Sequence, residues 1–444
     1  MVHAVHRNQK AFSLNAIYNE VFERVFLFDE QTLTIVRDGA TSENLDGKRK
    51  ADVLRKVRAQ FHKHLRPGPA LDRVVARFTN EALRGFEVST DGRKTDQTLI
   101  LWKYVRTNVC SATAHAFWGP DHPFRDDPDF YLAALIDFEG DVLSLFALPF
   151  PAWTAPKAHA ARSRLLGALR DYTERGGSEH AAEFVRNQHD TCREIGTTLV
   201  AQGGLGLAFS AIGPLTITAF WMVCYIFADP TLLTRVRQEV DACTTIEDLD
   251  RRHPSIDSVK LNSRCSLLFA CLAEALRLTS TQMTCRLTQA DTQVTDPSTG
   301  HTYLFKKGGV VMMVSGGMLD RRDLWGEDLD SFNPDRFLKS DTKSLPDTFD
   351  ITRPPHLSEA QAMAFAPWGG GAHMCAGRLF AQRCILAYVA LLVASCEIEG
   401  PAGGSLTPPQ MSKKLSVSNA KPASDVEVRI SKRTGFEDCE WAFA

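Results

Sequence analysis

Apolar residues recur with helical spacing over most of this chain and with alternating spacing only in a few short runs. Apolar positions three and four residues apart predict amphipathic helices, and these cover Ala158–Tyr172, Leu232–Ala242, Ser266–Leu278 and the strongly apolar Leu379–Ala394. Strand-like runs are shorter and comprise Thr302–Phe305, Val310–Val314 and Val426–Ile430. The pattern predicts a mainly α fold with a minor β component and no marked domain boundary.

One long stretch, Ile195–Ala228, carries no formal charge. Its length is sufficient for a membrane-spanning helix. However, it contains Gln202, a proline, several glycines and four threonines, and it runs without a loop into a charged helical segment. We therefore expect a buried central helix of one large domain rather than a transmembrane segment.

Composition excludes several classes of protein. Of the 444 residues, 44% are hydrophobic and 23% are charged, which is typical of a globular chain and not of a disordered one. The net charge of −2 argues against a nucleic-acid binder that depends on bulk charge. The 11 cysteines are odd in number and irregularly spaced, which indicates a reducing compartment rather than a disulfide framework.

A basic segment, Lys48–Arg66, has two interpretations. It is either a solvated helix face or a surface that meets an anionic group or an acidic partner protein. Phosphate-binding, dinucleotide-binding, α/β-hydrolase and common zinc motifs are absent from the sequence or incomplete in it.

The segment Phe365–Ala381 carries the clearest chemical signal. Three consecutive glycines, which allow close approach of the backbone to a bulky group, precede Cys375, and a helix is predicted to begin near Gly377. A thiolate at a helix N-terminus is stabilised by the helix dipole and by free N–H groups. A buried, inert cysteine would not explain the aromatic residue, the glycines and the abrupt helix start around Cys375.

Charged residues upstream complete the pattern. Glu274 and Arg277 are three residues apart on one face of a predicted helix, where they can interact. Arg336 follows a proline turn from which it could join Glu274, and Arg286 is placed to neutralise an acidic cofactor group. Each feature is weak alone, but their order and spacing together with the cysteine loop are highly specific.

With these residues the sequence resembles the cytochrome P-450 family of haem-thiolate oxygenases. The resemblance implies the cytochrome P-450 fold, a heme b cofactor and Cys375 as the axial ligand of the haem iron. It assigns further cofactor-binding positions to Trp368, Gly371, His373, Gly377, Arg286 and His62. It also implies that Glu274, Arg277 and Arg336 form a structural triad and do not contact substrate.

The resemblance implies an oxidoreductase, a monooxygenase of secondary or lipid metabolism. Such an enzyme hydroxylates a lipophilic small molecule with electrons from an NADPH-cytochrome reductase. The phrases around Trp221 and Glu274 resemble a branch with the sterol 7α- and 12α-hydroxylases, prostacyclin synthase and fungal relatives. Because this branch includes a peroxide-rearranging isomerase, an isomerase or dehydratase that needs no external electrons is the alternative.

The sequence departs from the family in its long apolar helix. Where most members have an acid followed by Thr, this chain has Gly213 and Pro214, neither of which can relay a proton. A relay would then need Thr216, Ser210, Thr218, ordered water or the substrate itself.

The second departure is at the start of the sequence, where the resemblance begins within the family's second helix region. We therefore expect one haem-thiolate domain over residues 1–444 that is N-terminally short and lacks part of the small β subdomain. A truncated, non-catalytic relative is a third alternative. The family pattern predicts the endoplasmic reticulum membrane, whereas the chain as written has no anchor and would be cytoplasmic.

Overall fold

The computed structural model describes residues 4–5, 8, 10–41, 53–89, 97–194, 199–246, 252–281, 283–296, 299–314, 321–338, 357–369, 374–414 and 416–444. Helices dominate these residues, so the predicted mainly α architecture with a minor β component is confirmed. In chain order the α-helices are α1 Leu14–Arg24, α2 Glu30–Thr41, α3 Val53–His64, α4 Pro69–Ser89, α5 Leu101–Trp118, α6 Pro128–Gly140, α7 Val142–Ala147, α8 Pro151–Thr154, α9 Pro156–Glu174, α10 Glu183–Glu194, α11 Val200–Ala228, α12 Pro230–Ala242, α13 Ser258–Arg264, α14 Ser266–Thr279, α15 Arg322–Trp325, α16 Glu359–Ala364 and α17 Arg378–Ser395.

The helices predicted from periodicity are confirmed to within a few residues at each end. Helices α9, α12, α14 and α17 cover the four amphipathic or apolar segments. Aspartates begin several helices, because a side-chain carboxylate accepts hydrogen bonds from the free N–H groups of a first turn. Asp229 does this at α12 and Asp257 at α13. The basic segment forms α3 from Val53 onward, and its residues 48–52 lie outside the described part of the chain.

Helix α11 is the central helix of the molecule. It runs for 29 residues, contains Pro214 in its interior and is buried along most of its length. Helices α11 and α17 are both long and apolar enough to cross a membrane, and 72% and 78% of their most apolar windows are buried within the protein. Both helices therefore pack as core helices here, as periodicity predicted for α11.

The strands form four small sheets. The strands are β1 Phe12–Ser13, β2 Gln97–Ile100, β3 Thr244–Ile246, β4 Pro254–Ile256, β5 Met283–Thr288, β6 Thr292–Thr295, β7 Thr302–Phe305, β8 Val310–Val314, β9 Cys396–Glu399, β10 Glu427–Lys432 and β11 Ala442–Phe443. Their orders are β1-β5-β8, β2-β10-β9, β11-β4-β3 and β6-β7. Only the β11–β4 pair is parallel among the described strands. The three predicted strands correspond to β7, β8 and β10.

One large apolar core joins the helices. It centres on α11, α14 and α17 and includes the fully buried Trp221 and Tyr388. A second, small cluster of Val5, Phe12, Val294 and Met313 lies under the β1-β5-β8 sheet. Phe12 pairs with Thr288, so residues near the start of the sequence supply an edge strand to this sheet. The expectation that part of the β subdomain is missing stays a prediction.

Candidate functional site

Cys375 lies at the point where a loop meets the first turn of α17. Its backbone N–H donates to the Trp368 carbonyl oxygen at 2.9 Å, which closes the loop between them. Gly369 has φ of +71°, a left-handed conformation that favours glycine. Gly371 and His373 lie outside the described residues, so their placement stays a prediction. Of the eleven cysteines, all within the described residues, Cys375 alone is exposed, because it faces an open cavity.

Two opposing effects act on the Cys375 thiol. Although the side chain opens onto the cavity, the protein atoms around it desolvate the thiol and raise its pKa, because a thiolate loses solvation there. The backbone N–H groups of Gly377 and Arg378 and the charge of the Arg378 guanidinium oppose this rise. The net pKa shift is upward. The site provides two N–H donors to the sulfur, which would stabilise it as the thiolate ligand of a metal.

The cavity in front of Cys375 has a volume of about 490 Å³. Cys375, Trp368 and Phe380 form one wall. The facing wall comes from α11 and includes Ser210, Pro214, Leu215 and Thr218. Most of the surface is apolar, so the cavity suits a large, mainly hydrophobic molecule.

Glu274, Arg277 and Arg336 form a buried ionic network. The Glu274 carboxylate has no exposed surface and accepts from Arg277 Nε at 2.7 Å, Arg277 Nη2 at 2.9 Å and Arg336 Nε at 3.2 Å. The Asn333 N–H donates to the same carboxylate at 3.0 Å. Arg277 also donates to the Leu329 carbonyl oxygen at 2.6 Å. The three predicted residues are therefore together, and they tie α14 to the loop that contains residues 329–336.

The family model described as Cytochrome P450 matches residues 189–426, which include Glu274, Arg277, Arg336 and Cys375. The chain belongs to the cytochrome P450 family. Membership of the P450 family implies a haem cofactor.

Three relatives indicate where this P450 chain lies within the family. A cytochrome P450 monooxygenase of Gibberella zeae is 30% identical over 80% of this chain and 66% of its own length. Cytochrome P450 monooxygenase nodJ of Hypoxylon pulicicidum is 28% identical over 77% of this chain and 65% of its own length. Human 7-alpha-hydroxycholest-4-en-3-one 12-alpha-hydroxylase is 21% identical over 60% of this chain and 52% of its own length. The predicted likeness to fungal P450 proteins and sterol 12α-hydroxylase is confirmed, and the chain spans about two thirds of the length of the first two relatives.

Basic and hydroxyl groups line the cavity of this P450 chain at one end. Arg58, His62 and Tyr18 belong to the cavity wall. Burial raises the pKa of the Tyr18 hydroxyl, while Arg58 and Arg286 lower it and Cys375 raises it further. Tyr18 is therefore within electrostatic reach of both arginines and of the thiol. Arg286 itself is buried on β5.

The His62 imidazole belongs to the same basic end. Burial lowers its pKa, and the charges of Arg378, Arg58 and Arg66 lower it further. Within the part of the chain that the structure describes, Trp368 Nε1 and Arg378 Nε are buried and have no hydrogen-bond partner. Unpaired buried donors and clustered cations fit an acidic group. A thiol, an apolar slot and a basic end together fit haem, which is apolar apart from its iron and two propionates.

The hydroxyl groups considered for a proton relay divide between two places. Ser210 and Thr218 line the Cys375 cavity, where Thr218 Oγ1 accepts from Asn419 Nδ2 at 2.8 Å. Thr216 lines a separate small pocket instead, donates to the Ile212 carbonyl oxygen at 2.8 Å and contacts Cys110 Sγ at 3.6 Å. The structure therefore does not bring Thr216 to the cavity.

Several cavity residues were missed by sequence reasoning. Arg58 is four residues before His62 on α3, so helical periodicity could have placed the two on one face. Tyr18, Glu139 and Asn419 have no local motif around them. They reach the cavity because α1, α6 and the segment before β10 border it together with α11.

Proposed function

We propose that this chain is a haem-thiolate monooxygenase that hydroxylates a lipophilic small molecule. The observation that carries the proposal is Cys375, held at the N-terminus of α17 and facing a mainly apolar cavity. The names of the two fungal relatives support monooxygenation, since both are called cytochrome P450 monooxygenases. Fungal relatives also favour a role in secondary metabolism.

Heme b would be held by residues on opposite sides of the slot. Cys375 would ligate the iron, with Trp368, Gly371 and Gly377 shaping the loop beside it. His373, Arg286 and His62 would meet the propionates, with help from Arg58 and Arg378. When bound, an iron porphyrin with an axial thiolate supplies the activation of dioxygen.

The chain's own residues supply binding, orientation and charge. The N–H groups of Gly377 and Arg378 donate to the sulfur and hold it towards the cavity. Leu215 and Phe380 exclude water from the reacting face. The Glu274 network is structural, because its groups are satisfied by one another and do not line the cavity.

The reaction also fixes what the partners must provide. Converting a C–H bond into C–OH with one molecule of dioxygen consumes two electrons and two protons and releases one molecule of water. An NADPH-cytochrome reductase would supply the electrons. The basic helix α3, whose Arg58 and His62 line the cavity, is the surface that we propose for an acidic redox partner.

The second candidate function is rearrangement of a peroxide or a biosynthetic intermediate without external electrons. It is favoured by Gly213 and Pro214, which offer no side-chain proton donor on the helix facing Cys375. The two functions differ in one measurement. Rearrangement predicts turnover without reductase and NADPH, whereas strict dependence on both would exclude it.

The proposal is tested by reducing the haem-loaded protein under carbon monoxide. We expect a Soret band at the position typical of thiolate ligation, and we expect it to be lost in Cys375→Ala. Cys192→Ser is the matched control, since Cys192 lies on α10 and is not part of the cavity wall. Thiolate ligation that persists in Cys375→Ala, or haem binding that never produces this band, would contradict the proposal.

A further inference from the structure

A buried carboxylate faces the mainly apolar cavity from α6. Glu139 lines the same cavity as Cys375, and its side chain is only 7% exposed. Lys421 Nζ lies 3.0 Å from Oε2, and the Ser418 hydroxyl donates to Oε1 at 3.0 Å. A buried carboxylate is costly unless it is paired, and one at a cavity wall is a candidate for ligand recognition.

Gly213 is what makes room for this carboxylate. A Cβ atom built on Gly213 would lie 3.0 Å from both Glu139 oxygens and 3.1 Å from the carboxyl carbon. Such contacts are tighter than nine in ten observed Cβ contacts, so an alanine at 213 would push the Glu139 carboxylate by a few tenths of an ångström and a larger residue would push it further. Gly213 on α11 therefore leaves the space that the Glu139 carboxylate on α6 occupies.

The hydroxyl groups near Glu139 already donate their hydrogens within the protein, so oxygen acceptors remain available to a ligand but hydroxyl donors do not. The Ser210 hydroxyl donates to the Leu207 carbonyl oxygen at 3.1 Å, and the Thr218 hydroxyl donates to the Pro214 carbonyl oxygen at 2.8 Å. The Ser418 hydroxyl hydrogen is used by Glu139. A carboxylate has about four lone-pair sites, of which the Ser418 hydroxyl occupies one. The Lys421 ammonium, which is not part of the cavity wall, pairs with Oε2 by charge without a hydrogen bond. The wall therefore offers acceptors to a ligand that brings a donor.

Charge decides which kind of donor fits. The Lys421 ammonium at 3.0 Å offsets the Glu139 charge, so the pair has no net charge to attract a cation. A neutral hydroxyl or N–H group can donate to the remaining lone pairs without the desolvation cost of an ammonium ion.

We propose that Glu139, with Ser418 and Lys421, is the specificity-determining group of the cavity and binds a neutral hydroxyl or N–H donor of a mainly apolar substrate. This assignment deepens the proposed function and rests on it, because the substrate must be bound in front of Cys375. It narrows the substrate class to lipophilic molecules that carry such a donor. Acceptor-only ketones and organic cations are the molecules that it disfavours.

The test measures binding with three probes that share one ring. Dissociation constants of cyclododecanol, cyclododecanone and cyclododecylammonium are measured by equilibrium dialysis against the haem-loaded chain. We expect the alcohol to bind on the order of tenfold more tightly than the ketone, as for one hydrogen bond to a charged group. The preference should disappear or reverse in Glu139→Gln, because an amide can donate to the ketone.

Two further variants make the result interpretable. Asp141→Asn is the matched control, since Asp141 also pairs with a lysine, Lys414 at 2.7 Å, but does not line the cavity. It should keep the preference for the alcohol. Gly213→Ala shifts the carboxylate by a few tenths of an ångström without removing it and should weaken the preference, so it carries the test if Glu139→Gln does not fold.

Equal binding of alcohol and ketone to the parent would overturn the assignment. So would a preference that survives in both Glu139→Gln and Gly213→Ala, or tightest binding of the ammonium probe. The carbon monoxide spectrum of the same preparation separates the two proposals. A normal thiolate band without the alcohol preference overturns this inference alone, whereas a missing band counts against the haem-thiolate function whatever the dialysis shows.

Discussion

Single side chains at the cavity owe their properties to neighbours that are distant in sequence. The pKa of the His62 imidazole is lowered first by desolvation and then by the charges of Arg378 and Arg58. The same two arginines make this end of the cavity positive. Such a cluster favours a bound carboxylate, since each charge-assisted hydrogen bond is stronger than a neutral one.

Arg58→Gln should weaken haem retention. Removing one cation from the basic end loses about one charge-assisted hydrogen bond, so haem loss should accelerate by roughly tenfold. The measurement is the rate of haem transfer to an excess of an apoglobin. Lys63→Gln is the control, because Lys63 is an exposed cation on the same helix and does not line the cavity. Equal transfer rates for the two variants would refute a propionate role for Arg58.

Helix α14 is held in place by the network around Glu274. The helix carries both Glu274 and Arg277 on one face, so their pairing is local, but Arg336 and the Asn333 N–H come from a turn about 60 residues further along the chain. Arg277 also lies over the Trp325 ring at 5.4 Å. The network thus fixes the loop that contains residues 329–336 to one turn of α14.

Glu274→Gln should lower the free energy of unfolding by about 3 kcal/mol, because it leaves the buried Arg277 guanidinium without its counter-charge and leaves Arg336 with Asp328 alone. Urea denaturation followed by circular dichroism measures the change. Glu20→Gln is the control, since Glu20 pairs with Arg24 on an exposed helix face and should change stability by less than about 0.5 kcal/mol. Similar denaturation midpoints for both variants would show that the network is not structural.

At the scale of the whole molecule, two of the three buried histidines in the described part of the chain, His122 and His189, strongly oppose folding in acid. Burial lowers the pKa of His122 and of His189 to about 4. An unfolded imidazole titrates near about 6.5, so between that pH and about 4 the unfolded chain binds protons that the folded chain does not. Folded-state stability therefore decreases as pH falls through this window.

The double variant His122→Gln/His189→Gln should lose less stability than the parent between pH 6.5 and pH 4. Each residue contributes up to about 3 kcal/mol to the parent's loss. Urea midpoints measured across this range give the slope of stability against pH. A loss of stability that is the same at every pH does not alter this slope. His253→Gln, at an exposed position, should keep the parent's slope. An unchanged slope in the double variant would contradict this account.

Much of the fold and part of the site could be predicted before the structure was known. Periodicity located α9, α12, α14 and α17, since the apolar residues that each helix buries recur at regular spacing within one continuous segment. Cys375 and the Glu274–Arg277 pair were found because helix starts and i, i+3 spacing are local features. Thr216 could not be separated from Thr218 in this way. The two residues lie on different sides of α11, and only its packing decides which side meets the cavity.

Amino-acid order alone specifies what neighbours along the chain can do together. It places a thiol just before the first turn of α17, an acid and a base one turn apart on α14, and no side chain at Gly213. Packing specifies the rest. The Glu139 carboxylate fills the space beside Gly213, although 74 positions separate the two residues, because α6 crosses α11 there. No local rule relates such residues, since contacts between elements depend on the angles and distances at which whole helices pack.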